Sequence, residues 1–175
     1  MKSLPRRMLR AAALDAELYE EVEADRSGTG QASAVVVLAA VAAGVGAIDN
    51  HGWLGVVGYT GLAVAGWYAW AVVACWIGTR LLPGPDTLAD HGELLRTLGF
   101  SCAPGVLRIF ALFPPIAAGV FVLSSVWMLV AMVVAVRQAL DYPTTGRALA
   151  VCALGFPIYA FTLAASLLLL GPWPL

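Results

Sequence analysis

Charge is what this sequence has least of. Only 12% of its 175 residues are Asp, Glu, Lys or Arg, against 61% hydrophobic side chains; a soluble domain carries about 25% charged residues. A core of this size cannot hide so much apolar surface from water. The shortage excludes a water-soluble monomer, a disordered chain and a free nucleic-acid binder. Paired cysteine is also missing. Cys75, Cys102 and Cys152 are isolated in apolar stretches with no CxxC, so a disulfide scaffold is excluded and the three read as small buried hydrophobes. Lysine is nearly absent as well. Lys2 is the only one among ten basic residues, and Ala and Gly are abundant, a usage that suggests a GC-rich bacterial genome. Ten basic and eleven acidic residues nearly cancel, leaving no global field to attract nucleic acid or anionic substrates.

What the chain does have is long uncharged runs. Ser27–Ile48 holds 22 residues without a charge, reaching about 33 Å as a helix, enough for a hydrocarbon core of about 30 Å. Asn50–Thr79, Thr97–Phe113 (interrupted by Arg108), Ile116–Val136 and Ala148–Leu170 follow. Turn signals separate them at Asp49-Asn50-His51-Gly52, Pro83-Gly84-Pro85 and Pro114-Pro115. Pro157 is placed to kink the last one. The expected fold is all-α, a polytopic membrane protein with five transmembrane helices at about 31–48, 54–82, 97–113, 116–136 and 148–170.

Residues 1–26 form a separate unit in this reading. They carry eleven charges, basic residues first and acidic ones after, with Pro5 suited to a first helical turn and Leu14, Leu18 and Val22 on one helical face. The expectation is a cytoplasmic amphipathic helix ahead of a transmembrane domain at 27–175, and not a cleavable signal peptide. Five crossings with the N-terminus cytoplasmic and the C-terminus outside place nine of the ten basic residues inside. Trp53, Phe113 and Trp173 then fall at the outer interface. The implied location is a bacterial cytoplasmic membrane, with lipid as the first partner.

Small residues supply the packing signal. Ala39, Ala43 and Ala47 form one stripe on the first span, and Gly58, Gly61 and Ala65 one on the second. Such residues let backbones approach closely, either within one protomer or between two copies. Arg108 is an ionised group inside a span, which is costly and tends to be paired or functional. It can snorkel, or it can pair with Asp49, predicted on the same side of the membrane. Asp86, Asp90 and Glu93 share one face in the link after the second span. That spacing suits weak metal ligation by oxygen, and equally suits the first turn of a helix facing water. Gly44-Val45-Gly46-Ala47 lacks the third glycine of a dinucleotide loop, and neither P-loop, GxSxG nor HExxH is present. His51 and His91 are predicted on opposite sides of the membrane. No catalytic set and no cofactor is expected.

Several segments carry a family resemblance. They are Leu18-Tyr19-Glu20-Glu21-Val22-Glu23-Ala24-Asp25, Gly78-Thr79-Arg80, Glu93-Leu94-Leu95-Arg96-Thr97-Leu98-Gly99-Phe100 with Ala103-Pro104, and Trp127 through Arg147-Ala148. With them, residues 18–170 resemble the Yip1 family, most closely its bacterial members. The resemblance implies a five-span fold. Eukaryotic relatives are implicated in vesicle traffic, small-GTPase binding and membrane shaping. Their long N-terminal extension is absent, so small-GTPase binding is not expected. The expected function is non-enzymatic: an organising or accessory subunit that contacts itself or other membrane proteins. The alternatives are a transporter, channel or lipid-moving protein and, more weakly, an intramembrane enzyme.

Overall fold

Charged helices first and apolar helices after is the order in the computed structural model too. It describes the backbone of residues 3–46, 48–85 and 87–170, and side chains for these except 48–51, 59, 158, 159 and 161–170. No strand occurs among the described residues. Helix α1 (Leu4–Ala12) starts with a proline in its first turn. Helix α2 (Ala16–Ala24) is capped by Asp15, whose carboxylate accepts the Leu18 N–H. The segment read as one amphipathic helix is therefore a hairpin of two. The break is at Leu14, which takes φ 60°, a left-handed backbone that few residues other than glycine adopt.

Among the described residues, four segments are long and apolar enough to cross a membrane: Arg26–Gly46, Gly52–Leu81, His91–Leu112 and Pro114–Ala139. They contain α3 (Thr29–Gly46), α4 (Ile48–Trp76, interrupted at Gly52), α5 (His91–Ser101) and α6 (Pro114–Ala139). Gly52 sits at φ 60°, ψ −169°, open only to a residue without a Cβ. Helix α7 (Thr145–Leu170) completes the order, with Pro157 inside it.

The third segment differs from its sequence reading. Its helix begins at His91, earlier than the expected span at Thr97, and its N-cap is Asp90. The cap is reciprocal: Asp90 Oδ1 accepts the Glu93 N–H at 2.9 Å and Glu93 Oε2 accepts the Asp90 N–H at 2.7 Å. This capping box satisfies two donors that a helix start leaves open. Beyond Ser101 the chain tightens into ten residues of 3₁₀ helix, Ala103–Leu112. Runs longer than three or four are uncommon. Pro104 removes a donor at its start.

Close approach follows the smallest residues. A Cβ on Gly99 would meet the Ala32 methyl at 2.7 Å, and one on Gly105 would meet Met128 Sδ at 2.9 Å and the Ala39 methyl at 3.0 Å. α5 and the 3₁₀ segment thus lie directly against α3, and α6 covers them. The hairpin packs on α5 and α6, burying Leu18, Tyr19 and Val22. Its depth is marked by Trp127, whose indole N–H donates to the Ala12 carbonyl at 2.8 Å. Trp127 lies twelve residues before the end of α6, about 18 Å along it. The hairpin is a wedge against the bundle.

Candidate functional site

Among the described residues, charged side chains enter the interior most deeply at two places. The first holds the hairpin. Arg7 is buried, and its guanidinium donates to Glu21 Oε1 at 3.0 Å, Gln31 Oε1 at 2.8 Å and Asp25 Oδ2 at 2.8 Å. Arg10 pairs with Asp15 at 2.6 Å and Glu21 at 2.9 Å. Arg96, also buried, donates from Nε to the Val22 carbonyl at 2.9 Å and from its terminal nitrogen to the Glu23 carbonyl. It caps the C-terminal end of α2, where the helix dipole favours a cation. The hydrogen bond from Arg10 holds the Asp15 carboxyl below the usual range, and bonds from Ser27 and Arg7 do so for Asp25. Glu23 goes the other way. Burial, and then the nearby Asp141, Glu93 and Glu20, push its carboxyl up to about 7.

The second constellation is a cavity of about 730 Å³ within the bundle. Ala39, Ala40, Ala43 and Gly44 of α3 form one wall; Trp67 and Trp70 of α4 form another. Met128 and Met132 of α6 close the far side. Its cation is Arg108, projected by the 3₁₀ segment. The Nε of Arg108 donates to Ser124 Oγ at 3.1 Å and a terminal nitrogen donates to Ser125 Oγ at 2.9 Å. The guanidinium carbon stands 4.8 Å from the Phe121 ring centroid, within cation–π range. Among the described residues no carboxylate pairs with Arg108.

The sequence-predicted positions divide as follows. The Asp49 side chain lies outside the described residues, and so does the predicted Arg108–Asp49 pair. Asp86, Ala47 and the His51 side chain lie outside them as well. Asp90 and Glu93 serve the capping box, and no group of three or more metal-ligating side chains occurs among the described residues. The stripe on α3 is buried at Ala39 and half-buried at Ala43, and much of it faces the cavity. On α4, Gly58 is half-buried while Gly61 and Ala65 are exposed. At the seam between the two helices, a Cβ on Gly44 would stand 3.0 Å from the Val56 Cα. Small size marks a residue that can pack closely; it does not say toward which neighbour the helix is rotated. Sequence reasoning missed Ser124 and Ser125. Their signal was a polar pair inside an otherwise apolar run, one helix away from Arg108.

Long apolar helices packed through small residues, with exposed Val37, Leu54, Val57, Phe121 and Leu123 around them, define an integral membrane protein of the helical-bundle type. A family model described as the Yip1 domain matches residues 15–167. The match covers most of the chain, which belongs to the Yip1 family. No curated protein and no solved structure matches it.

Proposed function

We propose that this protein is a non-enzymatic, five-span accessory or organising subunit of a bacterial cytoplasmic membrane, with its N-terminus inside and its C-terminus outside. α7 supplies the fifth crossing, with 26 helical residues of apolar sequence. The orientation draws its support from Arg80, Arg96, Arg137 and Arg147, which the preference of basic residues for the cytoplasmic side assigns to the same side as the N-terminal segment.

The observation that carries the reading is the outer face of α4. Gly61, Ala65 and Ala69 recur at a four-residue spacing, and all three are exposed, beside exposed Leu62, Tyr68 and Val72. A ridge of small residues that no helix of the same chain covers fits association with another membrane helix, from a second copy or another protein. Mass measurement of the purified protein in mild detergent tests it. An assembly heavier than the 18.3 kDa protomer, reduced to a protomer by Gly61→Leu with Ala65→Leu, is the expected outcome. A monomer that carries solute flux in liposomes, abolished by Arg108→Ala, would overturn it. That second reading, transport or lipid movement, draws its support from the cavity around Arg108.

A further inference from the structure

Among the described residues, the cavity around Arg108 has no carboxylate to answer its charge. Ser124 and Ser125 offer neutral hydroxyls and Phe121 a ring face. These solvate the guanidinium without cancelling its charge, and an uncompensated cation at such a depth is costly. Its size falls within the range of cavities that enclose small ligands, about 300–1,000 Å³, and its pattern of apolar walls with a few convergent polar groups is theirs too. The rim is formed by Leu62, Phe121, Leu129 and Phe156, all exposed and all apolar. A mouth of that kind admits molecules from the acyl-chain region and not from water.

We propose that the cavity binds an acyl chain bearing an oxyanion head, the head paired with Arg108 and the chain laid along Trp67, Trp70, Met128 and Met132. A guanidinium matches carboxylate and phosphate oxygens in a two-pronged geometry, and methionines adapt to a flexible chain. A cationic head would be repelled, and a neutral one would leave the charge as it stands. Free fatty acid and anionic phospholipid share this chemistry. The proposal does not depend on the accessory role or on oligomerisation.

Tryptophan emission of the full chain in mild detergent reads the binding, because bromines on a bound chain quench Trp67 and Trp70. The probes are dibrominated stearate, its methyl ester and dibrominated phosphatidic acid. Saturable quenching by at least one anionic probe is expected, with the ester about tenfold weaker or more, as befits loss of a charge-assisted pair. The tighter of the two anionic probes identifies the source. Arg108→Gln removes the preference for acid over ester, Arg108→Lys keeps it, and Ala43→Phe weakens every probe by filling the wall. Equal binding of acid and ester to the unaltered protein overturns the proposal, whatever the variants do. So does a preference that survives Arg108→Gln, or the absence of saturable quenching by both anionic probes.

Discussion

Arg7 and Arg108 are both drawn away from water, and their surroundings differ in kind. Arg7 lies between two helices of the hairpin and α3, with Glu21, Asp25 and Gln31 on its nitrogens. Its charge is cancelled inside the chain and each donor found has a defined place. Arg108 lies in the bundle with two hydroxyls and a ring. The first arrangement builds a joint. The second keeps a cation oriented with no carboxylate beside it among the described residues. Burial of an arginine is therefore no guide to its role; the sign of what surrounds it is.

The contrast can be broken from either side. Arg7→Ala has the largest expected effect, a loss of about 3 kcal/mol in the docking of the hairpin, because it strands partly buried carboxylates. Hydrogen exchange should show α1 and α2 losing protection while α4 and α6 keep theirs. Loss across the whole bundle would mean that the hairpin is no separate joint.

Glu23 gives the same joint a pH dependence. Its folded value of about 7 lies above the 4.5 of the free side chain. A carboxyl raised in this way favours the folded state fully below pH 4.5, and that contribution is lost as pH rises through 7. The partly solvated carboxylate limits the effect to about 1 kcal/mol. Hairpin protection should fall as pH rises from 4.5 to about 7, and Glu23→Gln should flatten the profile. Trp127→Phe removes one hydrogen bond to the Ala12 carbonyl and should cost about 1 kcal/mol in the same exchange measurement. Arg108→Gln should cost the fold least, under about 1 kcal/mol, since the amide can still reach the serines and a desolvated charge is removed. Thermal unfolding in detergent would check this. A loss as large as that of Arg7→Ala would erase the distinction between joint and site.

Much of the bundle is legible in the sequence. Long uncharged runs have one physical use, and their ends coincide with glycine, proline and short polar loops. The hairpin is not legible, because its break falls at Leu14, a residue type that seldom adopts a left-handed backbone. The third segment is obscured by its own charges. Arg96 looks like a loop residue until the carbonyls of α2 are seen to receive it. Likewise Arg108 is conspicuous in sequence, but its partners are not. Ser124 and Ser125 are sixteen and seventeen residues away, and only the turn at Pro114 brings α6 back beside the 3₁₀ segment.

The bond between Trp127 and Ala12 joins residues 115 apart, and that from Arg96 to Val22 joins residues 74 apart. Synthesis runs from the N-terminus, so α1 and α2 leave the ribosome well before the helices that will hold them. They cannot settle until α6 has been inserted. The hairpin is thus made before the helices that hold it, and its docking reports that α5 and α6 are in position.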